Sequence, residues 1–213
     1  MAITNEYVPR PAAVQSSHAG VDIKFDPQQM ADVRKMLWGI RGGVNKVLVL
    51  AVNRVVVGGR TDFTKETTKI LNAKVSYVRK RISISKASLS SSKLSARLYS
   101  SGTPMPLIDF TGTRQNKTGT SVQVYRTLPR KTIKHAFMLN TVTVGGSKYH
   151  NVYERIRKDG KRVARLPIRV LRGPRMQDVM AKPEVIKPTL VKIGVRLRDR
   201  LDHETQRLLD RQR

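Results

Sequence analysis

The sequence contains no cysteine among its 213 residues. A chain without thiols forms no disulfide and offers no thiolate as a nucleophile or as a metal ligand. Its four histidines stand far apart along the chain and share no spacing typical of a metal site: His18, His135, His150 and His203. These absences disfavour thiol chemistry and a metal centre.

Acidic residues are scarce. Fifteen Asp and Glu face forty-two Lys and Arg, which leaves a formal charge of +27. Such a charge repels itself within a free chain and favours association with something negative. Nucleic acid, an anionic membrane and an acidic protein are the partner classes that it permits.

Aromatic residues and long apolar runs are also few. One Trp, six Tyr and four Phe are too few for a surface that stacks on unpaired bases. The longest apolar run, Val47 to Val52, falls far short of the roughly 20 residues of a membrane span. The first residues lack the basic start and apolar core of a secretory signal. We therefore expect a soluble protein, made in a cytoplasm, with no membrane partner.

The order of the patterns predicts an α+β protein, in which long N-terminal and C-terminal amphipathic helices pack on a small antiparallel β-sheet or barrel. Residues 1–25 are expected to form a flexible arm, because they combine prolines and small polar residues without apolar periodicity. Residues 26–213 are expected to form a single domain: helical over 26–81, a β meander over 82–172, and a C-terminal helix over 183–211.

The helices are predicted from caps and apolar periodicity. Asp26, Pro27 and Gln29 suit a helix start, and apolar residues then recur at steps of three and four. Gly42–Gly43 should bend this helix or pack closely, and Gly58–Gly59 should end it. One or two short helices are expected over Thr61–Arg81, with four inward candidates: Phe63, Ile70, Val75 and Val78. The last helix begins near Pro183, with Pro188 marking its regular part.

The strands are predicted from alternation and turn residues. Exposed strands are expected in the serine-rich segment Ile82–Ser101. A strand over residues 106–110 and another over 121–126 flank a turn, and later strands meet across Gly145–Gly146 and across the sequence KDGK at 158–161. The candidate sheet core consists of Ile133, Ala136, Phe137, Val152, Leu166 and Ile168.

A basic hairpin is the main candidate site. Nine of the residues from Tyr153 to Arg175 are Lys or Arg. Alternation predicts a cationic face with Arg155, Arg165 and Arg169, and an apolar face with Val152 and Ile168. One interpretation is a solvated outer face; the other is an interaction surface for a partner protein or DNA phosphate. The candidate residues are Arg155, Arg157, Lys158, Lys161, Arg162, Arg165, Arg169, Arg79, Lys80 and Arg81.

Other motifs indicate no catalysis and no cofactor. Residues 65–81 only weakly suggest a helix-turn-helix, because the connection lacks Gly. Asp199, Asp202 and Glu204 lie among arginines, so surface ion pairs are expected there. The glycine pairs lack the residues that make a phosphate-binding loop.

Several short motifs, in order, carry a resemblance: AVNRV at 51–55, KETTKILNAKVSYVRKRI at 65–82, IKHAFM at 133–138, VYERIRKDGKRVARLPI at 152–168, and a final Gly173–Pro174 turn. Their succession resembles the minor tail protein Z family of tailed bacteriophages and prophages, also called tail completion proteins. The resemblance covers about Met30 to Leu208. The N-terminal arm and the serine-rich segment lie outside what can be carried over.

The resemblance implies a virion protein of the tail or neck, assembled in the host cytoplasm, rather than an enzyme. It implies a ring of six copies at the head-proximal end of the tail, with a tail terminator and a head–tail connector as neighbours. The cations would face acidic proteins or, nonspecifically, genomic DNA in the channel. The alternative function is nonspecific nucleic-acid binding through basic patches. A small metal-dependent nuclease is a more distant alternative.

Overall fold

The structure, a computed structural model, describes residues 18–23, 27–38, 40, 42–90, 94–144, 147–158, 161–162 and 168–211. Its helices are α1 (Pro27–Met36), α2 (Gly43–Ile70), α3 (Val75–Arg81), α4 (Met176–Met180) and α5 (Pro183–Asp210). Its strands are β1 (His18–Ile23), β2 (Ile82–Ser85), β3 (Ala96–Ser101), β4 (Pro104–Pro106), β5 (Arg114–Asn116), β6 (Gly119–Val122), β7 (Lys131–Lys134), β8 (Phe137–Val144), β9 (Ser147–Arg155), β10 (Arg157–Lys158), β11 (Lys161–Arg162), β12 (Ile168–Val170) and β13 (Arg172–Arg175).

The two long helices, α2 and α5, pack against each other in antiparallel orientation. Gly43 at the start of α2 lies beside Leu208 near the end of α5, and Gly59 lies beside Ile193. Both helices have 28 residues, so each is about 42 Å long. Their contact buries the apolar stripe predicted for the C-terminal helix, including Ile193, Leu197 and Leu201. This helix pair is the main layer of the fold.

The predicted end of the first helix at Gly58–Gly59 is wrong, because α2 continues to Ile70. A Cβ placed on Gly59 would lie 3.0 Å from side-chain carbons of both Ile193 and Leu98. The two glycines therefore allow close packing inside the helix. Glycine costs roughly 1 kcal/mol relative to alanine in a helix, and this contact offsets that cost.

The interruption predicted at Gly42–Gly43 separates α1 from α2. Gly42 adopts a left-handed conformation with φ of 71°, which glycine tolerates best, and precedes the first residue of α2. Gly43 packs against Ile40 and Leu208. The inward candidates Phe63 and Val78 are fully buried and Ile70 is half-buried, but Val75 is exposed because it begins the short helix α3 on its outer side.

The first sheet has the order β1-β3-β2 and is antiparallel throughout. Strand β1 lies within the predicted arm, so the folded region begins earlier than expected. Val21 and Ile23 of β1 are buried in the core, and two alternating apolar residues are a signal too short to separate a strand from an arm. The strands predicted in the serine-rich segment are confirmed as β2 and β3. They are not exposed, because β3 is the central strand and packs on α2, which buries Leu98 and Ser100.

The remaining strands form two three-stranded sheets, β5-β6-β7 and β12-β9-β8, and two pairs, β4 with β13 and β10 with β11. The hairpins predicted across Gly145–Gly146 and KDGK are confirmed by the β8–β9 and β10–β11 pairings. The predicted strand at 106–110 is instead mostly the 3-10 helix Leu107–Asp109, and the predicted turn after it contains the β5–β6 hairpin. Alternation of apolar and polar residues over a few positions does not distinguish a strand from a 3-10 helix, or a long turn from a short hairpin.

The predicted sheet core is partly correct. Ala136 and Val152 are buried, and Ile133, Phe137 and Ile168 are half-buried, while Leu166 lies outside the described residues. The C-terminal helix begins at Pro183, as predicted, and Pro188 lies inside it rather than marking its start. The protein is mixed α+β, with several small antiparallel sheets beside the helix pair. Within the described residues, every helix is too short or too polar to cross a bilayer.

Candidate interaction surface

The tip of the basic hairpin consists of cations paired with cations. In the β10–β11 register, Arg157 lies opposite Arg162 and Lys158 lies opposite Lys161. Like charges directly opposite each other on antiparallel strands destabilise the pairing. The tip is therefore a segment whose own electrostatics favour a negatively charged partner. Arg165, another candidate residue, lies outside the described residues.

The predicted division into an apolar and a cationic face is wrong. In the register of β12 with β9, Ile168 lies opposite Arg155 and Arg169 lies opposite Glu154. Residues directly opposite each other share a face of the sheet, so each face carries both apolar and charged residues. Alternation along each strand was visible in the sequence, but register decides how two strands combine.

Two of the predicted site residues make contacts within the protein. The guanidinium of Arg155 lies 4.8 Å from the ring centre of Phe137, which in turn stacks on the buried ring of Tyr153. Arg169 forms an ion pair with Glu154, with its Nη2 atom 2.8 Å from Oε2. Cation–π and ion-pair contacts both hold these arginines in place. Arg155 and Arg169 thus support the base of the hairpin.

Helix α3 carries the second group of predicted residues. Arg79 and Lys80 are exposed, whereas Arg81 lies over the ring of Tyr77 at 5.1 Å. The carbonyl oxygen of Arg79 accepts a hydrogen bond from Nη2 of Arg60 on α2 at 3.1 Å. The weak helix-turn-helix match in this segment has no structural counterpart. Leu71 and Ala73 form β-bridges with Tyr125 and Phe110, so the connection before α3 is extended.

Asp109 is the one acid between Lys69 and Lys148, a range with fifteen Lys and Arg. Burial raises its pKa, and the hydrogen bond with Tyr77 and the positive charges of Arg81 and Lys74 offset only part of that rise. Burial also raises the pKa of the Tyr77 hydroxyl. The lone carboxyl of this region is half-buried, so it neutralises little of the exposed positive charge.

Unlike Asp109, the two buried acids of α2 form ion pairs with cations of α5. Glu66 on α2 is buried and accepts hydrogen bonds from Nζ of Lys192 at 2.6 Å and Nζ of Lys69 at 2.7 Å. These bonds lower the pKa of Glu66, and Glu66 raises the pKa of Lys192. Asp62 pairs with Arg196 in the same way. Both acids join α2 to α5, so they are not available to balance the hairpin.

Ion pairs were predicted around Asp199, Asp202 and Glu204. Glu204 pairs with Arg207 at 3.3 Å and is buried, while Asp199 and Asp202 are exposed on α5. No group of three or more His, Asp and Glu side chains in the described part of the chain is arranged to hold a metal ion.

Sequence reasoning missed two apolar features. Trp38, two residues after the end of α1, is 90% exposed. A cleft of about 490 Å³ lies between the Tyr125–Pro129 turn, β6 and β13. The only sequence signal for the exposed Trp38 is a single tryptophan next to a glycine. The cleft has no sequence signal, because residues that are distant in sequence form it.

Comparison with known proteins does not reveal a relative: no family model, curated protein or solved structure matches the chain.

Proposed function

We propose that this chain is a structural virion protein at the head-proximal end of a phage tail. In this proposal it forms a ring that completes the tail and helps to join it to the head connector. It acts through noncovalent contacts, without turnover. Its partners are further copies of itself, a tail terminator protein and a head–tail connector protein.

The observation that carries the proposal is the like-charged register of the hairpin tip. Arg157 faces Arg162 and Lys158 faces Lys161, and the acids Asp62 and Glu66 are committed to the helix pair. A chain that keeps like charges opposite each other in a hairpin is suited to an external negative partner, which also selects register and orientation. The ordered motifs of the sequence support a tail as the setting for that partner.

The proposal is tested in the phage that encodes the chain. We expect the polypeptide in purified virions by mass spectrometry, and unjoined heads and tails by electron microscopy when its gene is disrupted. Virions that lack the polypeptide, or joined and infectious particles made without it, contradict the proposal.

Complementation then tests the hairpin. A variant with Arg157, Lys158, Lys161 and Arg162 all changed to Glu should fail to restore joining. The matched control changes four exposed cations elsewhere to Glu, namely Lys46, Arg54, Lys65 and Lys187. It alters the net charge equally, so it should restore joining if position matters more than total charge.

The hairpin tip also favours the second candidate, nonspecific binding of nucleic acid. Each phosphate contact contributes about −0.9 to the slope of log affinity against log salt for duplex DNA. If the tip contacts phosphates, changing the four tip residues to Gln should therefore make the slope of log DNA affinity against log salt less steep. Tight, salt-labile binding of DNA by the purified protein would favour this function, or a channel-lining role, over acidic protein partners.

A further inference from the structure

The Leu128 cleft is the cleft of about 490 Å³ beside the Tyr125–Pro129 turn, and its walls are mostly aliphatic. In the register of β6 with β7, Val122 lies opposite Lys131, and Ile133 lies two positions further along β7. Side chains at these positions share one face of the sheet. This face therefore forms one wall of the cleft.

Leu128 is an exposed apolar side chain on a fixed backbone. It is 55% exposed. Its backbone N–H donates to the Tyr125 carbonyl at 3.2 Å, and its carbonyl accepts a hydrogen bond from Nε2 of Gln123 at 2.9 Å. Tyr125 is itself held by a β-bridge with Leu71 and by the ammonium of Lys182, 4.2 Å from its ring centre. A backbone fixed in this way loses little conformational entropy on binding, so Leu128 is suited to contact a partner.

The charge at the Leu128 cleft is positive and unbalanced. Lys131 and Arg172 line the cleft, and both are exposed. Within the described part of the chain, no acid lines it and neither cation forms an ion pair. The cleft between α1 and α5 differs, because two aspartates line it together with one lysine and one arginine. The Leu128 cleft therefore favours a negatively charged partner.

The walls favour an apolar protein side chain over a nucleobase. Among the described residues that line the cleft, only Tyr125, Lys131 and Arg172 carry polar groups on their side chains. Lysine and arginine donate hydrogen bonds and do not accept them, so the N–H groups of a buried base would find one side-chain acceptor, the Tyr125 hydroxyl. Polar groups buried without partners oppose binding. An aliphatic or aromatic side chain avoids this cost.

We propose that the Leu128 cleft binds an acidic segment of a partner protein. One large apolar side chain of that segment fills the cleft against Leu128, and its Asp or Glu residues contact Lys131 and Arg172. The described residues of the hairpin tip do not line the cleft, so this is a second interaction surface. The inference thus goes beyond the proposed function and gives the chemistry of a partner that the tip does not bind.

Labelled peptides test the apolar and acidic parts of this chemistry separately. The probe is a fluorescein-labelled peptide with one central Phe between Glu residues, titrated with the full purified chain and followed by anisotropy. One matched peptide replaces Phe by Ala and keeps the charge, and another replaces every Glu by Gln and keeps the Phe. We expect the parent peptide to bind at least about tenfold more tightly than either, because burial of a large apolar side chain alone contributes that much.

The matched peptides also give the contradicting outcomes. Equal binding of the Phe and Ala peptides would reflect attraction to the net charge of +27 alone, and it overturns the inference. Equal binding of the Glu and Gln peptides, or no binding of the parent peptide, overturns it as well.

Substitution of Leu128 locates the binding. Leu128→Ala shortens an exposed side chain, so the fold should remain intact, which circular dichroism verifies. It should weaken binding of the parent peptide about fivefold or more. Leu89→Ala, at an exposed leucine outside the cleft, is the control and should bind like the unchanged chain. Unchanged affinity in Leu128→Ala contradicts binding in the cleft.

The cations are tested on the two faces of β7. Lys131→Gln removes a cation from the cleft face, and Lys134→Gln removes one from the opposite face, so both lower the net charge equally. We expect Lys131→Gln to weaken the parent peptide but not the Gln peptide, and Lys134→Gln to change neither. Equal weakening of the parent peptide by the two variants overturns the inference. Because these measurements use the purified chain, their failure leaves the virion experiments unaffected, and absence from virions leaves the peptide results intact.

Discussion

The helix pair and the β-rich half of the molecule differ in how their acidic and basic residues are arranged. Between α2 and α5, the buried acids Asp62 and Glu66 pair with cations of the facing helix. In the β-rich half, cations lie opposite cations in the register of the hairpin tip, and Asp109, the one acid between Lys69 and Lys148, is half-buried. Accordingly, the pKa of Glu66 is lowered by its lysine partners, and that of Asp109 is raised by burial.

This difference separates stability from binding. The helix pair contains the largest group of buried apolar side chains, including Leu48, Phe63 and Leu197, so it provides the largest single share of the apolar burial. The hairpin tip has only short strands and repelling neighbours, so it contributes little to stability. Substitutions in the first region should change the free energy of unfolding, and those in the second should change partner binding.

The largest effect is expected for Phe63→Ala. Phe63 is fully buried on α2, and loss of its ring leaves a cavity that should cost about 3–5 kcal/mol of unfolding free energy. Denaturant titration measures this loss. Val191→Ala on the outer side of α5 is the control, with an expected change within about 0.5 kcal/mol. Similar losses of unfolding free energy in the two variants would contradict the conclusion that the helix pair stabilises the fold.

A smaller loss is expected for Gly59→Ala. The added Cβ would lie 3.0 Å from carbons of Ile193 and Leu98, both buried, so overpacking should cost about 1–3 kcal/mol. At Gly58 the added Cβ would displace the Arg196 guanidinium, which pairs with Asp62, but a side-chain end shifts more readily than packed carbons and alanine favours the helix, so Gly58→Ala should cost less than Gly59→Ala. Equal thermal stability of the two variants contradicts close packing at Gly59.

The two acids should show opposite pH dependence. Glu66 has a lowered pKa in the folded state, so its stabilisation is present above the ordinary value of 4.5 and is lost as pH falls through the folded pKa. Glu66→Gln should therefore be less stable than the unchanged protein near neutral pH, and the difference should shrink in acid.

Asp109 has a raised pKa, so its ionised form destabilises the fold at neutral pH and protonation relieves this cost. Asp109→Asn should be more stable than the unchanged protein near neutral pH, with the gain lost as pH falls below the folded pKa. Denaturant titrations from about pH 7 to about pH 3 measure both differences. Curves of the same sign for the two variants would contradict the contrast between the regions.

The smallest effect on stability is expected for Arg162→Glu. The change replaces a like-charge pair with Arg157 by an opposite-charge pair, which should stabilise the hairpin by about 0.2–1 kcal/mol. The same change should weaken binding to an anionic resin, seen as elution at lower salt. Lys65→Glu, on the exposed side of α2, is the matched control for elution. A loss of stability in Arg162→Glu would show that the tip contributes to the fold.

The sequence by itself determined the α+β class, the long C-terminal helix from Pro183, the hairpins across Gly145–Gly146 and KDGK, and the excess of cations. Each follows from neighbours in the chain: apolar periodicity for the helix, turn residues for the hairpins and composition for the charge. The same local signals placed Phe63, Val78, Ala136 and Val152 in the core.

Only the tertiary structure decided which residues meet. Register set Ile168 beside Arg155 and so mixed the faces of the hairpin. Packing against Ile193 carried α2 through Gly58–Gly59, where local preference predicts an end. Pairing with Lys192 and Arg196 placed the acids Glu66 and Asp62 of α2 at the contact with α5. These outcomes depend on contacts between residues up to 134 positions apart, whose energies exceed the preferences of the local chain.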